Sequence, residues 1–315
     1  MQLYRVYLIF WFLLFLIINS TGYSQKVDKA MSEQKKAADD FFNNGSYDES
    51  YIIYSSLLSN SPKDAELNYK FGVCLIHSNN SESELAIKYL TYSLSDPTIP
   101  ADATYWLGNA YHLNYRFSEA IDNYKKFQSL GDARTLAKYD VARDVQMCYN
   151  GRRLLSTVTD LFVLEKKQVD KQNWHFNYDL SEFGGAIIEK PSEYVSKLDE
   201  KLNDNKLCYF SRAAGVLCYG SYGDDGKNKK DIYMVKRQSD GTSWSVPFKF
   251  DTNINTSWDD DYGVLSSDGN TLYFSSKGHN SMGGYDIFKS VYNSTTKKWS
   301  NPINLDFPIN TPYDD

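Results

Sequence analysis

The stretch Leu265-Ser266-Ser267-Asp268-Gly269-Asn270-Thr271-Leu272-Tyr273-Phe274-Ser275-Ser276 decides how the C-terminal part of this 315-residue chain folds. Ser267-Asp268-Gly269 is a tight-turn signal. The run after it alternates, Leu272 and Phe274 toward one side and Tyr273 toward the other, which is the period-two signature of a sheet. Working outward, the sequence predicts four short strands at about Tyr262–Leu265, Thr271–Ser276, Tyr285–Ser290 and Lys298–Asn304. They are separated by the turn just named, by Gly283-Gly284 and by Ser294–Thr296. The same unit stands 55 residues earlier. Leu217 matches Leu272, Asp231-Ile232-Tyr233 matches Asp286-Ile287-Phe288, and Trp244-Ser245 matches Trp299-Ser300. Pro247 matches Pro302, and Ile254-Asn255-Thr256 matches Ile309-Asn310-Thr311. Coincidence at that many positions is not credible, so one supersecondary unit occurs at least twice from about residue 204 onward. The earlier copy is degraded, with Arg212-Ala213-Ala214-Gly215 where the serine-aspartate-glycine turn should be.

A four-stranded sheet repeated in tandem predicts the blades of a β-propeller. The quoted stretch, with Gly283-Gly284-Tyr285-Asp286-Ile287 and Trp299-Ser300-Asn301-Pro302-Ile303-Asn304-Leu305, resembles the WD40-like propeller repeats of bacterial envelope proteins. The resemblance implies an incomplete antiparallel propeller of about two blades over residues 204–315, with 156–203 a linker or a divergent first blade. So few units do not close a ring of at least four. The expectation is therefore a piece of a longer protein, or a ring completed by oligomerisation.

Residues 26–155 read as helices with an internal repeat. Ala38, Gly72 and Gly108 are 34 and 36 residues apart, and each starts a similar pattern. The clearest unit has Leu107, Gly108, Tyr111, Ala120, Tyr124 and Phe127; an earlier one has Ala38, Phe41, Ser50, Tyr54 and Leu57 before Pro62. Small residues at a helix crossing permit close approach, while large residues at i, i+3 and i+4 fill the groove. Asn43-Asn44-Gly45 and Asn79-Asn80 are the expected inter-helix turns, and a last helix, Arg134 to Asn150, is expected to cap the array and end at Gly151. The pattern resembles the tetratricopeptide repeat, with Ser50 in place of the expected alanine and about two extra residues around Asn79 to Ser83. That resemblance implies peptide binding on a concave face, at Tyr69, Tyr105, Asn109 and His112. The alternative for Tyr69 and Tyr105 is packing between units. The fold class expected is thus α + β multidomain, a helical solenoid followed by an incomplete propeller.

The N-terminus points to export. Arg5 precedes an unbroken apolar run from Val6 to Ile18, too short to span a bilayer comfortably, and Gly22-Tyr23-Ser24 supplies small residues before Gln25. Residues 1–24 are read as a cleaved signal peptide, leaving no integral membrane span. The formal net charge is −6, and cleavage removes Arg5 and no acidic residue. An acidic chain without a basic cluster argues against nucleic acid as a partner. Tyrosine is abundant, at 26, and suits half-buried sheet faces and packed helical repeats. The cysteines Cys74, Cys148, Cys208 and Cys218 fit no zinc spacing. Cys208 and Cys218 lie in neighbouring expected strands of an oxidising compartment, which allows a disulfide.

No G-x-S-x-G elbow and no H-E-x-x-H occur, and His77, His112, His175 and His279 stand singly. Asp259-Asp260-Asp261 offers hard oxygens for calcium, but reads more simply as solvated turn residues. No catalytic, cofactor or metal residue is assigned. The whole arrangement, a tetratricopeptide array followed by WD40-like repeats behind a signal peptide, resembles the periplasmic OmpA-family proteins associated with type IX secretion and gliding. In that family an OmpA-like domain usually comes last; none is visible here. The resemblance implies a non-enzymatic periplasmic scaffold, outer-membrane associated, with protein partners in the envelope and a peptidoglycan-associated complex. The alternatives are a hydrolase whose catalytic domain lies beyond residue 315, and a glycan or peptide sensor.

Overall fold

The computed structural model describes residues 29–77, 82–156, 184–204, 207–223 and 229–315. The leader reading, the loop signal Asn79-Asn80 and most of 156–183 lie outside them. The fold is α + β, with helices first and two antiparallel sheets after them. Two compact units divide between Val141 and Ala142.

In the first unit, antiparallel helices follow one another: α1 (29–43), α2 (Tyr47–Asn60), α3 (Ala65–His77), α4 (Ser83–Ser93), α5 (Asp102–Leu113), α6 (Phe117–Leu130) and the single turn α7 (Ala133–Leu136). The small residues sit where the repeat requires them. A Cβ at Gly72 would stand 2.7 Å from the Leu90 side chain of α4, and one at Gly108 would stand 2.9 Å from the Tyr124 ring of α6. Ala38 is fully buried, and Ser50, the departure from alanine, donates its hydroxyl to Ser46 O and Ala38 O across the α1–α2 contact. Serine therefore keeps the crossing tight and satisfies its own polar group. Asp64 starts α3 by accepting the Leu67 N–H at 2.9 Å, one of the amides a helix leaves unpaired.

The expected single helix Arg134–Asn150 is not formed. The chain breaks after α7 because Tyr139 leaves the helical path to stack on Tyr105, centroids 3.9 Å apart, and donates its hydroxyl to Asp102. Helix resumes as α8 (Val141–Leu155) and runs through Gly151. From Ala142 onward it belongs to the second unit, where Arg143 and Asn150 donate to Lys277 O and Ser281 O.

The second unit contains β1 (Gly185–Glu189), the short helix α9 (Lys197–Lys201), β2 (Leu207–Ser211), β3 (Val216–Ser221), β4 (Asp231–Lys236) and β5 (Phe248–Lys249). Then come β6 (Asp260–Leu265), β7 (Thr271–Ser276), β8 (Asp286–Asn293), β9 (Lys298–Trp299) and β10 (Ile303–Asn304). The first sheet has the order β1-β2-β3-β4-β5, and the second β10-β8-β7-β6 with β9 paired to β8. Strand pairing repeats at the 55-residue interval without slippage. Phe210↔Leu217 recurs as Leu265↔Leu272, Ser221↔Asp231 as Ser276↔Asp286, and Lys249↔Tyr233 as Asn304↔Phe288. A one-residue slip would turn every side chain to the wrong face, so this agreement fixes the duplication at the level of the backbone. The Ser267-Asp268-Gly269 turn forms as read, with Gly269 at φ +73°. Two details differ from expectation. The fourth strand is split into β9 and β10, and the described part of 156–203 adds β1 to the edge of the first sheet instead of forming a sheet of its own.

The two sheets stack face on face. Val216, Cys218, Ile232, Phe250 and Ile254 of the first pack with Leu265, Leu272, Phe274 and Phe288 of the second. Cys208 lies on the opposite face of the first sheet, with Leu217, Tyr219 and Val235. The disulfide is therefore ruled out: Tyr209, not Cys208, pairs with Cys218, so the two sulfurs point to opposite faces. Both are free and buried, and burial pushes each thiol up to about 12.

Candidate functional site

The four residues singled out on the helical array are mostly covered. Tyr69, Tyr105 and His112 are 8%, 8% and 3% exposed. Tyr105 is wedged among Trp106, Tyr124, Phe127 and Tyr139, and His112 Nδ1 meets the Tyr124 hydroxyl at 3.4 Å. Burial pushes the Tyr69 phenol well above its usual range. These three rings hold helices together; Asn109 alone is half-buried. What the array shows outward is a neighbouring ladder of partly covered rings. Phe42 meets Tyr47, Tyr47 stacks on His77 at 4.6 Å, His77 meets Trp106 edge-on at 4.8 Å, and Trp106 meets Tyr139. No periodicity marks it, because Tyr47, His77 and Trp106 occupy non-equivalent repeat positions.

Polar chemistry gathers at one end of the two sheets, where β3 and β7 end and β4, β6 and β8 begin. Lys230 is the centre of it. Its Nζ stands 2.5 Å from Asp204 Oδ1 and 2.5 Å from Asp261 Oδ2, and the rings of Tyr222 and Tyr262 lie 5.6 and 6.0 Å away. Burial opposes the ammonium, but the two carboxylates outweigh it and raise Lys230 well above the usual lysine range. A lysine held charged in this way is neither a base nor a nucleophile.

Asp259-Asp260-Asp261 is not a solvated turn. Asp260 is fully buried and Asp261 is 6% exposed, because β6 begins inside the packed unit and its first residues face other strands. Asp260 accepts from the Thr256 N–H and hydroxyl and from the Ser276 hydroxyl; burial raises it to about 7. One unit later Asp315 accepts from Thr311 in the same way. Asn255 and Asn310 are paired likewise. Each accepts the backbone N–H of Ile232 or Ile287 and returns a donor to the same residue's carbonyl. Asp286 accepts from Met282 N–H, Ser281 and Asn304, and burial raises it to about 6. In the first sheet Asp199 replaces the Asp260 clamp. It closes a capping box with Ser196, accepts from Ser221 and the Tyr222 N–H, and faces Lys190 at 3.2 Å in full burial. Burial works against its charge, and these hydrogen bonds outweigh it, so Asp199 lies below the usual carboxylate range.

These polar groups are spent on holding loops to strands. Facing solvent at this end are Trp258 between Arg143 at 4.2 Å and Lys229 at 4.7 Å, Lys277 over Tyr285 and paired with Asp259 at 3.6 Å, and Tyr262 at 45% exposure. Among the described residues no three His, Cys, Asp or Glu side chains are grouped to hold a metal ion, and no helix is long and apolar enough to cross a membrane. Compared with known proteins, the chain matches no family model and no curated protein.

Proposed function

We propose that this chain is a non-enzymatic scaffold of the cell envelope that holds protein partners through its helical repeats and its duplicated sheets. The observation that carries the reading is the use made of the buried titratable groups. Lys230 is locked between two carboxylates, and Asp199, Asp260 and Asp286 each close a loop onto a strand. Catalytic sites leave such groups facing a substrate; here they face the protein's own side chains and backbone. The finer assignment, tetratricopeptide and WD40-like propeller repeats in a periplasmic protein of the OmpA-family, type IX secretion kind, rests on the sequence motifs. So does export, which rests on Arg5 and the apolar run Val6–Ile18.

Cell fractionation with N-terminal sequencing, followed by in-cell crosslinking, tests the reading. The expected result is a chain beginning at Gln25 in the periplasmic fraction, crosslinked to envelope proteins through both units. An unprocessed cytoplasmic chain, or hydrolysis of peptide or ester substrates by the pure protein, contradicts it.

A further inference from the structure

The buried cluster around Lys230 is not a feature of the repeat, since the equivalent residue of the second sheet is Tyr285. Lys230, Asp204 and Asp261 come from three separate segments: the residue before β4, the chain after α9 and the second residue of β6. Their side chains are 7%, 11% and 8% exposed. A Cβ at Gly220 of β3 would overlap Asp261 Oδ1, so a glycine there is what admits the carboxyl; the equivalent residue of the second sheet is Ser275. Asp261 is held in one orientation. Its Oδ1 accepts the Tyr262 N–H at 2.8 Å, and its Oδ2 faces Lys230 Nζ at 2.5 Å. Asp204 Oδ1 meets the same nitrogen at 2.5 Å, while Asp204 Oδ2 is buried and, among the described residues, has no hydrogen-bond partner. Held only as ion pairs, three buried charges and an orphaned oxygen are costly.

We propose that Lys230 and Asp261 join covalently in the folded chain, the lysine nitrogen forming an amide with the aspartate Cγ and Asp204 carrying the proton. The ammonium itself does not attack. One proton first passes to Asp261 Oδ2 along the 2.5 Å contact, which leaves a neutral amine against a neutral carboxyl and the charge of the cluster unchanged. Burial favours the acid form of Asp261. The Nζ–Cγ bond then forms, Asp204 takes a second proton from the nitrogen and delivers it to the Oδ2 hydroxyl, and the Cγ–Oδ2 bond breaks. Ammonium and carboxylate become an amide and one water. Asp204 ends as the carboxylate it began as, and no other reagent is consumed. Oδ1 remains as the amide oxygen on the Tyr262 N–H. Contact between the two groups makes the step intramolecular, and two of the three buried charges vanish. The bond is made once, without turnover, so the proposal stands apart from the scaffold reading. It ties the start of β4 to the start of β6, 31 positions apart, and so joins the two stacked sheets by a link that, like a disulfide, persists in the unfolded chain.

Intact mass of the denatured chain, followed by peptide mapping, tests the link. The parent chain, purified and kept folded, is expected to weigh one water less than its sequence, and digestion to yield one branched peptide joining the segments of Lys230 and Asp261. Lys230→Arg keeps a cation between the carboxylates and is expected to show the full mass. Asp261→Asn is expected to give the same branched peptide, with ammonia leaving in place of water. Asp204→Asn keeps the size of the side chain without the proton carrier and is expected to slow closure about tenfold or more. A parent chain of full mass after prolonged incubation overturns the proposal, whatever the variants do. So does a water loss mapped to the Asp240-Gly241 or Asp268-Gly269 turn, where an aspartate closes a ring on its own backbone, with no branched peptide. An Asp204→Asn chain that closes at the parent's rate overturns the role given to Asp204.

Discussion

The two sheets share a strand register and differ in how they hold it. Where the second sheet joins Asn304 to Asp286 by a neutral donor, the first joins Lys249 to Asp231 by an ion pair at 2.6 Å. Where the first sheet has Lys230 between two carboxylates, the second has Tyr285 with Lys277 over its ring at 4.5 Å. Asp260 closes one loop from six residues beyond Ile254, and Asp199 closes the other from a separate helix. The backbone pairing is therefore the invariant, and each polar contact is one of several ways of pairing the groups buried at that position. The asparagine clamp is the exception. Asn255 and Asn310 are the same residue in the same bonds, because the side-chain amide carries its acceptor oxygen and donor nitrogen on separate atoms and meets the N–H and C=O of one residue at once.

The largest effect that would break this comparison lies across one strand. Phe274→Ala removes a fully buried ring between the sheets and is expected to cost about 4 kcal/mol in urea unfolding, whereas Tyr273→Ala on the opposite face is expected to cost less than about 1 kcal/mol. Equal losses would mean that the sheet faces are wrongly assigned. Next, Asn255→Ala and Asn310→Ala each strand the backbone N–H of Ile232 or Ile287, whose carbonyls keep the Phe250 or Leu305 N–H, with an expected loss of about 1 to 2 kcal/mol apiece. A loss at only one of them would show that the clamps are not equivalent.

The pH dependence sharpens the contrast between Asp260 and Asp199. A carboxyl raised to about 7 binds its proton more tightly in the folded state, so the stability it governs falls as pH rises from about 4 to about 7 and is level above that. Asp286, raised to about 6, acts in the same direction over a narrower window. Asp199, depressed, works oppositely, supporting the fold above the usual carboxylate range and losing that support as pH falls through it. Asp260→Asn should therefore gain on the parent chain by roughly 2 kcal/mol between pH 5 and pH 8, read from urea midpoints. A gain in the opposite direction would contradict the buried, clamped placement. The smallest effect is expected at Lys249→Ala. Its side chain is 38% exposed, so solvent screening leaves the pair with Asp231 worth under about 1 kcal/mol.

The repeats were legible in the sequence because they impose periodicity. Leu272 and Phe274 alternate with Tyr273, and Gly72 and Gly108 stand where helices touch, so the pattern places β7 and the two close helix contacts. Tyr139 was not legible. Its apolar spacing fits a helix, and only the stacking partner Tyr105, 34 residues away, explains why the helix breaks. The aspartate run departs from the solvated turn its pattern suggests for a related reason: its partners Lys230, Thr256 and Ser276 come from other segments that the run itself does not reveal. Tyr69, Tyr105 and His112 matched positions on a repeat, and burial of each ring is a matter of how the helices pack, which position alone does not encode.

Cross-strand contacts at two places 55 residues apart test the central claim most directly, that one unit is built twice in one register. NMR cross-strand backbone contacts are expected both between Leu217 and Val235 and between Leu272 and Ser290. A contact at the first pair with the second shifted to a neighbouring residue, or absent, would contradict it.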